Sequence, residues 1–152
     1  MILKRLLSLC LPLCLFISCL DTTTDSCSNV LCAGLPVLGF EVLQNGENVF
    51  DFGSYSGDDV VIDDTNAQTA VEFLSSINDR PALLIQDSDW TAGNYNYAVA
   101  LGDDDSFTIR TTFELSDDSE CCGGIPFLTA IEINDVEINL AEVSGGVFTV
   151  NL

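Results

Sequence analysis

From Pro36 onward, apolar residues recur at every second position. Leu38, Phe40 and Val42 make one wholly apolar row, while Val37, Gly39, Glu41 and Leu43 opposite them are mixed. A period of two is the mark of a strand with one buried face. Gln44-Asn45-Gly46-Glu47 follows, and Asn-Gly between such runs is the strongest short hairpin signal, so Val49, Phe50 and Phe52 are expected to continue on a second strand. Val60-Val61-Ile62 reads as a short buried run between acidic pairs, and Leu83-Leu84-Ile85 as another strand. Tyr95, Tyr97, Val99 and Leu101 share one face of a later segment, and Phe107, Ile109, Thr111 and Phe113 share a face of the next. Asp103-Asp104-Asp105 is the expected turn between those two. Leu128 to Ile133, Val136 to Leu140 and Val147 to Leu152 complete the set, with Asn134-Asp135 joining the first pair.

Residues 66–77 fit two patterns. Ala67, Ala70, Val71, Phe73, Leu74 and Ile77 match a short helix, with Thr65 and Gln68 as a capping box. Val71-Glu72-Phe73-Leu74 equally matches a strand, and the strands on either side favour that reading. Arg80-Pro81 is expected to end this element. The whole gives an all-β chain of roughly eight to ten short strands, an antiparallel β-sandwich of immunoglobulin-like or related type.

The front of the chain follows a different pattern. Lys4 and Arg5 precede an apolar run, Leu6 to Ile17, that closes on Ser18-Cys19. A positive end, an apolar stretch too short to span a bilayer and a small residue make a secretory signal. Phe16-Ile17-Ser18-Cys19 resembles the lipobox of bacterial lipoproteins, with Phe16 where Leu is usual. That resemblance implies cleavage before Cys19 and acylation of it, so the chain's expected partner is a lipid bilayer. Several acyl chains give a stable anchor where one does not. Leu20, in place of the aspartate that retains enterobacterial lipoproteins at the inner membrane, implies the outer membrane. Asp21 and Asp25 are similar to the acidic export signals of Bacteroidota surface lipoproteins, and the general layout resembles small lipoproteins of that group. The expected organisation is a signal peptide at 1–18, a lipidated cysteine, tether and cysteine pair at 19–35, and a β-sandwich domain at 36–152.

Charge narrows the partners. The chain carries 24 acidic residues against 4 basic ones, a formal net charge of −20. Beyond Arg5 the only basic residues are Arg80 and Arg110, so there is no patch to neutralise phosphates. Nucleic acid is therefore not expected as a partner, and neither is charge-driven binding to anionic lipid. Histidine is absent, which removes Ser-His-Asp and Cys-His catalysis and histidine-ligated zinc. Acidic pairs are too abundant to single out a glycosidase site. No enzyme is expected.

Of the 7 cysteines, Cys10 and Cys14 fall in the signal and Cys19 at its end. Cys27, Cys32, Cys121 and Cys122 remain, an even number suited to disulfides in an oxidising compartment. Joining neighbours Cys121 and Cys122 would strain the ring, so the expected bridges run from Cys27 and Cys32 to Cys121 and Cys122. A four-thiolate zinc site is the weaker alternative.

No cofactor is expected beyond weak, loop-borne calcium. Asp58, Asp59, Asp63, Asp64, Asp103, Asp104 and Asp105 gather at strand ends, where hard oxygen ligands suit this ion. Solvated turn aspartates are the plainer reading. Asp87-Ser88-Asp89 begins like an EF-hand loop, but Ala92 and Ala98 stand where its glycine and bidentate glutamate belong. Trp90, Tyr95 and Tyr97 are an aromatic cluster that, if exposed, would stack on a sugar or a protein; core is the plainer reading, since Val99 and Leu101 extend the same face inward. The expected function is a membrane-anchored, non-catalytic binding or structural module at the outer membrane or cell surface. The alternative is a carbohydrate-binding accessory or inhibitor lipoprotein that presents loops to a secreted target. An open sheet edge would favour the first, an exposed Trp90 the second.

Overall fold

The apolar row Leu38, Phe40 and Val42 lies on the inner face of β1 (Leu38–Gln44) and is almost wholly removed from water. The computed structural model describes residues 34–77, 79–117, 122–143 and 146–152, all within one unit, Leu31–Leu152. Ten strands are described. After β1 come β2 (Glu47–Asn48), β3 (Val60–Ile62), β4 (Ala67–Leu74), β5 (Arg80–Asp87), β6 (Gly93–Leu101), β7 (Asp105–Leu115), β8 (Pro126–Ile133), β9 (Val136–Glu137) and β10 (Val147–Asn151).

They form two sheets. The first has the order β10-β1-β5-β4, with β2 also on β1; the second runs β3-β6-β7-β8-β9. The chain is thus an all-β sandwich. All pairs are antiparallel except β1 with β10, which is parallel. The second sheet contains the meander β6 to β9, so its strand order is sequential rather than interleaved as in immunoglobulin domains.

Alternation places the core. Leu83 and Ile85 of β5 and Phe148 and Val150 of β10 join the β1 row from one sheet. Tyr97, Val99 and Leu101 of β6, Phe107, Ile109 and Phe113 of β7, and Ile131 and Ile133 of β8 face them from the other. Phe40 meets Phe107 across the layers at 6.2 Å between ring centres, and Phe148 at 5.6 Å. Each such side chain contributes roughly 1.5–3 kcal/mol by leaving water.

The turns explain the hairpins and where strands stop. Asn45 and Gly46 both have positive φ, 54° and 83°, and Asn134 and Asp135 have 50° and 64°. Positive φ at both central positions is the turn geometry that matches the twist of paired strands. The second strand expected through Phe52 does not form. Asn48, fully buried, turns its side chain onto the chain that follows, and Oδ1 accepts from the backbone N–H of Phe50 (3.0 Å) and Asp51 (3.3 Å). Its Nδ2 donates to the carbonyl of Pro81 at 2.8 Å, tying this turn to β5.

Residues 67–74 are strand, not helix, and a short 3-10 turn, Ser75–Ile77, follows. Arg80-Pro81 opens β5 instead of closing the element before it. Val61 is 63% exposed, so the run at 60–62 is an edge strand and not a buried one. The segment after Val136 leaves its ladder after two residues and enters a 3-10 turn, Leu140–Glu142, where the Asn139 side chain caps Ala141 N–H. Among the described residues, no helix is long and apolar enough to cross a membrane.

Candidate functional site

The aromatic cluster is structural. Trp90 and Tyr97 are 3% and 2% exposed, and Tyr95 is half-buried. Trp90 stacks on Phe113 with ring centres 4.8 Å apart, while Tyr95 meets the same ring edge-on at 5.9 Å. Trp90 Nε1 donates to the Tyr97 hydroxyl at 2.6 Å, and that hydroxyl donates to Asp87 Oδ2 at 2.9 Å. The other Asp87 oxygen accepts from Asp89 N–H at 2.8 Å. Burial, then the Asp87 carboxylate, push the Tyr97 phenol well above its ordinary range, against the opposing effect of the Trp90 donor. Tyr95 OH accepts from Thr91 N–H and donates to the Asp89 carbonyl. The three rings therefore hold the loop at 88–92 on the end of the sandwich, and their faces are taken by Phe113 and the core. Trp90 and Tyr97 thus belong to the core, the plainer of the two readings of this cluster, and present no stacking platform.

The acidic loops are hydrogen-bonded turns. Asp58 and Asp59 lie on a 3-10 turn, Gly57–Asp59. Asp59 Oδ2 accepts from the backbone N–H and the hydroxyl of Ser56, which holds its carboxyl below the usual range. Asp63 Oδ1 accepts from Ala98 N–H at 2.8 Å, and Asp64 Oδ1 from Asn66 N–H at 2.8 Å. Asp105 Oδ2 accepts from Gln44 Nε2 at 2.8 Å and from the Tyr55 hydroxyl at 2.7 Å. That bond first, then desolvation and the charges of Asp105, Asp104 and Asp59, push the Tyr55 phenol up to about 12. The turn at 57–59 and the β6–β7 turn thus meet through Tyr55, with Gly102 N–H also donating to the Asp59 carbonyl. Among the described residues, no three acidic or cysteine side chains gather as a metal ligand set.

Cys122 is disulfide-bonded. Cys19, Cys27, Cys32 and Cys121 lie outside the described residues, as does the 1–18 segment.

Both described cations are engaged. Arg80 Nη1 sits against Glu41 Oε1, an ion pair between β5 and β1 that is off the axis of a good hydrogen bond. Arg110 Nη1 reaches both Glu132 and Asp135, and those carboxylates raise its pKa. The surface is left with acidic side chains and no uncompensated basic one among the described residues.

Two open features were not singled out by sequence. A groove of about 610 Å³ runs between the outer side of β1 and β10 and the segment after β9, lined by Glu41, Ile77, Glu142, Val143 and Val147 among others. The second feature is the outer border of β4. It pairs with β5 without interruption from Ala67 opposite Asp87 to Leu74 opposite Arg80. On its other side it has no strand partner among the described residues. A shallow trough of about 340 Å³ lies along the outer face of β4 and β5, lined by Val37, Gln68, Ala70, Glu72, Leu84 and Gln86 with Thr69. At one end Phe73 is 70% exposed. A strand over residues 71–74 is the favoured of two readings of this stretch, but whether a strand is central or at an edge depends on pairing, which no local pattern encodes.

Comparison with known proteins finds no matching family model, no similar curated protein and no similar solved structure.

Proposed function

We propose that this chain is a lipid-anchored, extracytoplasmic lipoprotein that serves as a non-catalytic binding or structural module at the outer membrane or cell surface. The resemblance of Phe16-Ile17-Ser18-Cys19 to a lipobox supports the anchor. The observation that carries the module is the border of β4, eight residues of regular strand that have no partner strand on one side among the described residues. Exposed strand borders are templates for pairing with another chain. Burial of Trp90 and Tyr97 counts against the carbohydrate-binding alternative, which needs an aromatic face turned to solvent. Metabolic labelling with an alkyne-palmitate tests the anchor. Wild type is expected to label and Cys19→Ala to lose the label; equal labelling of the two overturns it.

A further inference from the structure

Sheet borders are commonly blunted by shortness, lysine, proline or bulges. The other outer strands are shorter: β3 has three residues, β9 has two and β10 has five. β4 has eight residues and none of those devices, though the turn at 57–59 and β3 lie against part of it. Its sequence, Ala-Gln-Thr-Ala-Val-Glu-Phe-Leu, contains no lysine and no proline, and its ladder with β5 has no bulge. The turn at 57–59 leans on it, with Gly57 against Val71, but contributes no hydrogen bond to the β4 backbone. The same turn brings Asp58 and Asp59 to this side, and Glu72 stands exposed on β4 itself.

Beyond that turn, charge guards this border, and charge selects. A second copy brings another net −20 to the contact, so pairing with itself is opposed. A cationic strand meets the opposite field, with Arg80 and Arg110 already neutralised by their own carboxylates. The trough beside the border suits the stems of long basic side chains: Ala70 and Leu84 supply an apolar floor, and Glu72 a carboxylate beside it. Phe73 offers an aromatic face where the border ends.

We propose that β4 accepts an extended, lysine- or arginine-rich segment of a partner protein as an added strand of the first sheet. Ladder hydrogen bonds would supply affinity, and alternating basic side chains over Glu72, Asp58 and Asp59 would supply selection. This inference rests on the module reading above and specifies its partner.

The test uses the full chain and three end-capped synthetic peptides. One alternates lysine with valine and threonine; one has glutamate in place of lysine; one is the lysine peptide N-methylated at every residue, which keeps its charge but removes the ladder donors on both edges. Fluorescence anisotropy measures binding, and hydrogen exchange maps it. The lysine peptide is expected to bind, to slow exchange in Ala67–Leu74 and to weaken as salt shortens the screening length. The N-methylated peptide is expected to bind at least about tenfold more weakly, since every ladder donor it would offer to β4 is lost. Glu72→Lys, an exposed change, is expected to weaken the lysine peptide without lowering the melting temperature. Equal binding of the N-methylated peptide, equal binding of the glutamate peptide, or no binding at all overturns the inference. Protection confined to the groove by Glu41 and Val147 also overturns it, yet would leave a binding module with a different site.

Discussion

Asn48 carries more of the first sheet than its size suggests, and removing it gives a sharp test. It is 0% exposed and makes one good bond to the Pro81 carbonyl, one to Phe50 N–H and a longer one to Asp51 N–H. Asn48→Ala deletes all three and leaves the Pro81 carbonyl and the Phe50 amide without those partners. Each net hydrogen bond contributes about 1 kcal/mol and each stranded buried group costs about 1–3 kcal/mol, so the loss should be about 2–4 kcal/mol. Urea unfolding followed by Trp90 fluorescence should show a midpoint lowered by about 1–2 M, given a slope of about 1–3 kcal/mol per molar. Asn48→Asp separates the two ends of the amide. The introduced carboxylate can still accept from Phe50 and Asp51 but opposes the Pro81 carbonyl when ionised. Burial and that carbonyl raise its folded pKa above the unfolded value near 3.9. The folded state then holds the proton over a pH range where the unfolded state has lost it. Stability relative to wild type is therefore highest below about pH 4 and falls as pH rises through the raised folded pKa. A loss under about 0.5 kcal/mol for Asn48→Ala, or an Asn48→Asp deficit that is flat from about pH 4 to pH 7, would refute the assigned role.

Four further changes probe other contacts. Tyr97→Phe strands Trp90 Nε1 and the buried Asp87 oxygen and should cost about 2–4 kcal/mol in urea melts; a change under about 0.5 kcal/mol would mean that the three groups are not coupled. Thr111→Val should stabilise by about 1 kcal/mol, because the Thr111 hydroxyl is buried without a hydrogen-bond partner, and a destabilised variant would contradict that reading. Gly102→Ala should destabilise by about 1–3 kcal/mol, since φ is +59° there and an added Cβ would lie 3.1 Å from Tyr55 Cε1; unchanged melting would argue against the packing of Tyr55 on this turn. Melts in calcium, magnesium and sodium at matched ionic strength should coincide if the aspartate turns are stabilised only by screening, and an added upward shift with calcium alone would reveal a site that the turn hydrogen bonds conceal.

The parts of this fold that could be read from sequence are those where one residue's chemistry decides the outcome locally. Asn45-Gly46 and Asn134-Asp135 tolerate positive φ, so both turns lie where the sequence puts them. The rows Tyr97-Val99-Leu101 and Phe107-Ile109-Thr111-Phe113 alternate strictly, so their inner faces were legible as well. The second strand was overestimated because Val49, Phe50 and Phe52 look like a strand, whereas the buried amide of Asn48 redirects the backbone before them. The aromatic cluster illustrates the same limit. Nothing in Trp90-Thr91-Ala92-Gly93-Asn94-Tyr95 says whether the indole faces water; Phe113, far along the chain, decides it. The open border of β4 belongs to this class too, for it exists only once β5 has been paired on one side and, among the described residues, no strand on the other.

The parallel pairing of β1 with β10 has a consequence in time. Gly39 lies beside Val147 and Leu43 beside Asn151, so neighbours in the sheet are more than a hundred residues apart along the chain. Phe148 and Val150 supply core side chains that β1 needs for its own inner face. The hairpins of the second sheet involve near neighbours and can close early, but the first sheet has to wait for the last strand. Long loops must close before such contacts are rewarded, which slows folding. A chain emerging from its N-terminal side therefore holds Leu38, Phe40 and Val42 without their β10 partners until nearly all of the domain has followed. Whatever handles the chain during synthesis meets a pliable polymer, and the first sheet closes only after β10 has been made.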